Sequence, residues 1–177
     1  MKALKKILLG IVALVALVLI IALFVKKDFA VERSITINKP NQEVFDYVKM
    51  LKNQKNWSSF SQADPEMKAW HKGTDGTVGA VYGWESKMMG NGEQVITKIA
   101  EGERVDIDMH FKGMMASTSP AYLATKVLSD STTQVTWAMS GKMSYPMNFM
   151  GLFMSMDDMI GTEYQKSLEQ LKGILEK

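Results

Sequence analysis

The sequence of 177 residues contains no cysteine and only two histidines, His71 and His110. The lack of cysteine excludes structural disulfides, thiolate zinc sites, iron–sulfur clusters and a cysteine nucleophile. Two histidines also leave little material for a histidine-rich metal site. We therefore expect no metal and no other cofactor, and composition identifies no catalytic residue.

An excess of positive charge is also missing from most of the chain. The formal net charge is +2, but five of the 21 lysines and arginines lie before Asp28 and no acidic residue does. Residues 28–177 therefore contain 16 basic and 19 acidic residues, a net charge of about −3. Nucleic acid is an unsuitable partner, because binding to its phosphates requires a basic surface.

A long apolar run is present near the start. Residues 7–25 contain no charged or polar side chain, and 15 of these 19 residues are Leu, Ile, Val or Phe. A helix of this length is about 28 Å long, close to the ~30 Å hydrocarbon core of a bilayer. A cleaved signal peptide is the alternative, but "ALFVKKDFA" offers no small-residue cleavage site. The run predicts a single transmembrane anchor.

The anchor divides the chain into a tail and transmembrane segment, residues 1–28, and one domain, residues 29–177. Lysines lie on both sides of the apolar run, so their count alone does not decide the orientation. The short, charged N-terminal tail is typical of a signal-anchor. We expect the N-terminus inside the cell and the domain outside the cytoplasm.

Periodicity indicates an α+β domain. Val31, Ile35 and Ile37 alternate with polar residues and predict a strand, after which residues 44–51 have helical spacing. Residues 66–145 contain short β-branched and aromatic segments separated by glycine-rich turns, which predicts an antiparallel meander. Apolar residues from Ile160 to Leu175 return every three or four positions and predict a long C-terminal helix.

This sequence resembles the SRPBCC family, the START and polyketide cyclase/dehydrase-like superfamily. The likeness extends from about Val31 to Glu176. It is carried by "ITINKPNQEVFDYV", "NWSSFSQADPEMK", "GTVGAVYGWES", "GNGEQVITKIAEGERV", "TQVTWAMSG" and "MIGTEYQKSLEQLKGILE". The resemblance implies a helix-grip fold, in which a curved antiparallel sheet wraps around the long C-terminal helix and leaves a cavity between them.

The resemblance also implies a function class. Members include lipid carriers, hormone receptors, cyclases and chaperone-activating domains, and they share no catalytic motif. The chain is therefore expected to bind a hydrophobic small molecule or lipid without chemistry. The alternatives are a polyketide cyclase/dehydratase-like enzyme and a chaperone-activator-like module that binds a protein partner. A pocket of roughly 300–1,000 Å³ is expected, enough for a sterol-sized or single-chain ligand.

Large apolar side chains are the candidates for the cavity wall. Aromatic residues supply most of the area, and the inward positions of predicted strands add others. These candidates are Trp57, Phe60, Trp70, Tyr82, Trp84, Met109, Phe111, Trp137 and Met139.

Two sets of acidic residues are candidates for metal binding or catalysis. Asp106, Asp108 and His110 share one strand face, but a spacing of roughly 7 Å between same-face neighbours is wide for one metal. We expect that face to be solvated and the face of Met109 to be buried. Glu85 alternates with cavity candidates and could act as a general base in an enzyme, although no second group is paired with it.

The methionine-rich segment, residues 143–161, contains six methionines. Met143, Met147, Met150 and Met154 are spaced 4, 3 and 4 residues apart and share one face if Pro146 opens a helix. Thioether sulfurs can bind copper(I), and flexible methionines can also form an adaptable partner surface. We expect the face of Met147, Met150 and Met154 to be an apolar lid over the cavity.

Overall fold

The computed structural model describes residues 2–113 and 116–177. The helices and strands in chain order are α1 (Lys2–Phe24), β1 (Asp28–Ile37), α2 (Asn41–Val48), α3 (Gln54–Trp57), α4 (Ser59–Ala63), β2 (Lys68–Lys72), β3 (Val81–Ser86), β4 (Gly90–Ala100), β5 (Arg104–Lys112), β6 (Ser117–Ser129), β7 (Thr132–Lys142) and α5 (Met156–Leu175). Two 3-10 helices, Leu51–Asn53 and Met147–Leu152, lie before α3 and α5.

The seven strands form a single antiparallel sheet in the order β1-β7-β6-β5-β4-β3-β2. Strands β2 to β7 follow one another as the predicted meander, because each connection is too short for a parallel crossover. β1 pairs with β7 along its whole length, from Asp28 opposite Lys142 to Ile37 opposite Thr133. The predicted strand around Val31 is thus an edge strand.

The C-terminal helix α5 packs along the sheet and confirms the helix-grip fold. It buries Tyr164, Leu168, Leu171 and Leu175 on the face that the sequence pattern predicted. The Ser155 side chain accepts a hydrogen bond from the Asp158 backbone N–H, as the capping-box spacing leads one to expect.

An ion pair joins the start of α5 to β1. The Arg33 guanidinium donates to both carboxylate oxygens of Asp157 at 2.8 Å, and this bond lowers the pKa of the Asp157 carboxyl. Gly161 makes room for the pair, since a Cβ atom there would overlap the Arg33 guanidinium. The polar residue on the buried side of β1 therefore has a structural partner.

Three short helices close one end of the space between sheet and α5. Helix α2 buries Val44, Phe45 and Val48, as its periodicity predicted. Helices α3 and α4 were not predicted from the sequence, because their four and five residues are too few to show a period. The Ser59 backbone N–H donates to the Ser167 hydroxyl at 2.9 Å, which fixes α4 on α5.

The N-terminal helix α1 stands apart from this core. Its stretch Ala3–Phe24 is long and apolar enough to cross a membrane, and only 6% of its most apolar 18 residues are buried. The same length and composition also occur in signal sequences. Its C-terminal end contacts the 3-10 helix Met147–Leu152.

Candidate ligand-binding cavity

A cavity of about 230 Å³ lies between the inner face of the sheet and the helices α3, α4 and α5. It is smaller than the 300–1,000 Å³ expected from the sequence, because aromatic side chains occupy much of the space. Its walls come from Gln54, Ser58, Phe60, Ser61, Met67, Tyr82, Trp84, Met89, Gln94, Met109, Phe111, Trp137, Met139, Ile160 and Tyr164.

One wall is a stack of aromatic rings between β7 and α5. Trp137 lies parallel to Tyr164 with ring centroids 3.9 Å apart, and Phe60 meets both rings edge-on at 6.4 and 6.1 Å. Stacked and edge-to-face contacts of this kind hold rings in defined positions. This wall is rigid and almost entirely apolar.

The opposite wall lies on β3 and β5. Tyr82 and Trp84 stack with centroids 6.5 Å apart, and Trp84 meets Phe111 edge-on at 6.3 Å. The Trp84 ring lies over Gly92 on the neighbouring strand β4, where a Cβ atom would overlap it. Gly92 therefore sets how far the Trp84 ring sits from the cavity centre.

Four methionines complete the apolar lining: Met67, Met89, Met109 and Met139. Of these, Met139 is buried, whereas the other three are half-buried. Methionine has flexible bonds and a polarisable sulfur, so these side chains can repack around ligands of different shape. The cavity combines one rigid aromatic wall with an adaptable methionine lining.

The polar groups in the cavity are few and neutral. The side chains of Gln54 and Gln94 are buried and bind each other, with one N···O distance of 2.7 Å and one of 3.3 Å. Gln94 lies opposite Tyr82 in the β3–β4 register. Among the described lining residues there is no carboxylate, histidine, lysine or arginine.

The hydroxyl of Tyr82 is the polar group that stands out. Tyr82 is only 3% exposed, and its hydroxyl oxygen is buried without a hydrogen-bond partner in the described part of the chain. Leaving a buried hydroxyl unpaired costs about 1–3 kcal/mol. Because the hydroxyl oxygen has almost no accessible surface, a ligand oxygen or nitrogen would reach it and remove that cost only where neighbouring side chains move aside.

The second cavity tyrosine, Tyr164, is equally buried. Burial raises the pKa of its hydroxyl well above the usual value near 10, so the group stays protonated at neutral pH. It can donate or accept a hydrogen bond in this state. It does not supply a base.

The structure brings seven of the predicted site residues together on the cavity wall: Phe60, Tyr82, Trp84, Met109, Phe111, Trp137 and Met139. Two others lie elsewhere. Trp57 is fully buried in the core beside Trp137, at a centroid distance of 5.1 Å. Trp70 lies over Gly83, which alternates with the inward residues Tyr82 and Trp84, so it is on the outer face of the sheet.

Met147, Met150 and Met154 do not line this cavity. They lie on the segment that contacts α1, and all three are about 40% exposed. The Asn148 side chain holds the segment there through bonds to the backbone of Ala22 and Val25. The spacing of the three methionines carried no information about this contact, which joins residues more than 120 positions apart.

Several lining residues were not candidates from the sequence: Gln54, Ser58, Ser61, Met67, Met89, Gln94, Ile160 and Tyr164. One signal could have identified Gln94, a polar residue at an inward position between the buried Gly92 and Ile96. Residues 54–67 lie on short helices and a loop, where no period indicates which side chains point inward.

The acidic candidates lie away from the cavity. On β5 the face of Val105 and Ile107 is buried, as predicted, whereas Asp106 accepts a bond from Arg104 at 2.7 Å and His110 contacts Thr118 at 2.9 Å on the other face. Glu85 is exposed and absent from the cavity wall. The described residues contain no group of three or more acidic or histidine side chains that could hold a metal.

Comparison with known proteins agrees with this geometry. The family described as "Polyketide cyclase / dehydrase and lipid transport" matches residues 28–176. The chain belongs to this family. The match begins where β1 begins and leaves α1 outside it. No functionally curated protein matches the chain.

Solved structures of the same Bet v1-like fold are similar over most of their length. Norcoclaurine synthase from Thalictrum flavum, in complex with dopamine and hydroxybenzaldehyde, has a TM-score of 0.64 at 9% identity, covering 88% of this chain and 91% of that chain. A protein from Thermobifida fusca gives 0.62 at 17% identity over 82% and 92%. One from Nitrosospira multiformis gives 0.60 at 19% identity over 83% and 96%. At these identities the likeness shows the fold alone.

Proposed function

We propose that this member of the polyketide cyclase/dehydrase and lipid transport family is anchored in a membrane and binds a compact apolar molecule without converting it. The observation that carries the proposal is the apolar cavity whose wall includes Tyr82, a residue with a buried hydroxyl that has no hydrogen-bond partner among the described residues. An apolar ligand with a single hydroxyl or carbonyl group would match both features. The fold neighbour that holds aromatic molecules in its structure supports a ligand of this kind.

The volume limits the size of the ligand. An engineered cavity of about 150 Å³ is large enough for benzene. The cavity of about 230 Å³ found here is roughly 1.5 times as large, which suits a two-ring molecule or part of an acyl chain. A whole sterol would require the methionines of the lining to move outward.

The lining favours binding over chemistry. Cyclases and dehydratases move protons, and a general base needs a group that is deprotonated near neutral pH. The ionisable groups in the described lining are the hydroxyls of Tyr82 and Tyr164, and the pKa of Tyr164 is raised. A bound ligand would meet hydrogen-bond donors and acceptors, not an acid–base pair.

The anchor is the second part of the proposal. The apolar residues 7–25 are followed by Lys26 and Lys27, which can remain at the lipid headgroups. β1 begins at Asp28, so only the three residues 25–27 separate the domain from the end of α1. Residues 29–177 would thus form one domain at the membrane surface, on the side opposite the cytoplasm, where lipid-soluble molecules are within reach.

The test is a fluorescence titration with 2-naphthol, a two-ring apolar molecule that carries one hydroxyl. The full chain is reconstituted in lipid nanodiscs, with empty nanodiscs as the blank. We expect saturable binding of one probe per chain, and a loss of at least tenfold in affinity in the Met109→Trp variant, whose indole would occupy the cavity. The matched control is Val127→Trp, because Val127 is 58% exposed and lies outside the cavity.

Binding that is absent, or equal in the wild-type chain and in Met109→Trp, would contradict the proposed cavity function. Retention of the chain in membranes after a carbonate wash tests the anchor separately. Recovery of a mature protein that begins near Phe29 would show that α1 is a cleaved signal sequence.

A further inference from the structure

We infer that the segment of residues 143–156 inserts into the lipid bilayer beside α1 and forms a second membrane contact of the domain. This uncharged segment joins β7 to α5 and contains the 3-10 helix Met147–Leu152. None of its 14 residues is charged. The inference rests on the anchoring role proposed for α1, and it assigns to the segment a partner of defined chemistry, the acyl chains and headgroups of the surrounding lipids.

Asn148 fixes the uncharged segment at the end of α1. Its side-chain amide donates to the carbonyl oxygen of Ala22 at 2.6 Å and to that of Val25 at 2.9 Å. The last carbonyls of a helix have no partner within the helix, and Asn148 satisfies one of them, that of Ala22, together with the Val25 carbonyl just beyond the helix. Asn148 and Ala22 are both fully buried by this contact. The segment and the C-terminal end of α1 therefore lie at the same position along the axis of α1.

Tyr145 shows how far along α1 the segment reaches. Its hydroxyl donates to the carbonyl oxygen of Leu19 at 3.2 Å. Leu19 precedes Val25 by six residues, or about 9 Å of helix. If residues 7–25 occupy the bilayer, the Tyr145 hydroxyl lies about 9 Å deeper than the end of the apolar run. The segment cannot avoid the lipid that surrounds this part of α1.

The side chains that the uncharged segment exposes are suited to that environment. Phe153 is 76% exposed and Leu152 is 54% exposed, and Tyr145, Met147, Met150 and Met154 are also exposed. Contiguous exposed apolar side chains mark interaction surfaces, whereas isolated ones are ordinary. The same set would be costly in water and is favourable in lipid.

Basic residues lie where the headgroups would be. Lys26 and Lys27 follow α1 directly, and the Lys27 ammonium lies 5.9 Å from the centre of the Tyr145 ring. Lys142 precedes the segment at the end of β7, where its ammonium also pairs with the Asp28 carboxylate at 3.4 Å. Lysines beside an apolar surface attract anionic lipid headgroups. This arrangement favours a lipid surface over a protein partner as the occupant.

The absence of cysteine from the sequence makes a direct test possible, because each single-cysteine variant accepts one nitroxide label. The full chain is reconstituted in nanodiscs of phosphatidylcholine and phosphatidylglycerol, with a label at one of three sites. Phe153→Cys reports on the segment and Leu14→Cys on α1. Val127→Cys is the matched control, because Val127 is an exposed apolar residue far from α1. It pairs with Thr133 on β7, which pairs with Ile37 on β1, and Ile37 lies nine residues, or about 30 Å of strand, beyond Asp28.

Power saturation with oxygen and with a water-soluble nickel complex then gives the environment of each label. We expect the Phe153 and Leu14 labels to collide more with oxygen and the Val127 label more with nickel. Nickel access at Phe153 equal to that at Val127, with Leu14 still in lipid, would overturn the insertion and leave the anchor intact. Nickel access at Leu14 would overturn the anchor itself, and insertion with it. Dipolar broadening at Phe153 would show that a second copy covers the segment, and would overturn the lipid assignment.

Discussion

Replacing Tyr82 with phenylalanine should show both what the buried hydroxyl costs in stability and what it contributes to ligand binding. The substitution removes one oxygen and keeps the ring that stacks on Trp84. Because the hydroxyl has no partner in the described structure, its loss breaks no hydrogen bond of the protein. An unpaired buried polar group costs about 1–3 kcal/mol, so the free energy of unfolding should rise by about 1–3 kcal/mol.

Ligand binding should change in the opposite direction. A ligand oxygen that pairs with Tyr82 contributes about 0.5–1.5 kcal/mol, which corresponds to a dissociation constant about 2- to 13-fold lower. The Tyr82→Phe variant should lose this factor for 2-naphthol and bind naphthalene, which lacks the hydroxyl, as the wild-type chain does. Parallel titrations of both probes in nanodiscs give the ratio directly.

Tyr122→Phe is the matched control for this substitution. The Tyr122 hydroxyl donates to the Glu32 carboxylate at a distance of 2.6 Å, and neither residue lines the cavity. The variant should therefore lose about 0.5–1.5 kcal/mol of stability and bind both probes normally. A Tyr82→Phe chain that is destabilised by more than 1 kcal/mol would show that the hydroxyl has a partner within the protein. Equal affinity of this variant and the wild-type chain for 2-naphthol would refute the role assigned to Tyr82 in ligand binding.

Three further predictions follow from particular contacts. In Gly92→Ala the new Cβ atom would overlap the Trp84 ring and lie 2.9 Å from the His110 carbonyl oxygen, so the ring must shift and 2-naphthol binding should weaken at least tenfold in the same titration. Unchanged affinity would contradict the role of Gly92 in placing the ring. Asn148→Leu removes two hydrogen bonds worth about 1–3 kcal/mol together, so amide exchange in Met147–Leu152 should become about 5- to 150-fold faster while the sheet stays protected; equal exchange rates would contradict the capping role. Asp157→Asn should reduce the free energy of unfolding above about pH 4. The bond from Arg33 stabilises the charged carboxylate and so lowers the pKa of Asp157, and the difference from wild type should therefore vanish as the pH falls through that lowered pKa. A difference that persists in acid would rule out the ion pair as its cause.

The strands and α5 could be predicted because each shows its period in one short stretch of sequence, and α1 could be predicted from its uninterrupted apolar run. Inward strand positions such as Met109 and Trp137 follow from alternation alone, and both line the cavity. Periodicity does not predict the direction of side chains on very short helices. Helices α3 and α4 are shorter than two turns, so Gln54 and Ser58 carry no pattern that indicates their direction.

The position of the methionine-rich segment could not be predicted for a different reason. Its spacing describes one face of a turn, and Met147–Leu152 is indeed a 3-10 helix after Pro146. What that face meets depends on Asn148, whose partners lie 126 and 123 residues earlier in the chain. Trp70 is similar, since only the register of β2 and β3 places it over Gly83 on the outer face. For these residues, long-range pairing and not local sequence decides whether the side chain reaches the cavity.

Methionine-methyl NMR tests most directly whether the ligand enters the cavity between the sheet and α5. The chain contains 15 methionines, and labelling their methyl carbons gives one signal from each. Titration of the full chain in nanodiscs with 2-naphthol should shift the signals of four: Met67, Met89, Met109 and Met139. The signals of Met147, Met150 and Met154, which contact no part of the cavity, should stay in place. Shifts confined to these last three, with the four cavity signals unchanged, would place the ligand on the membrane-facing segment and contradict the account.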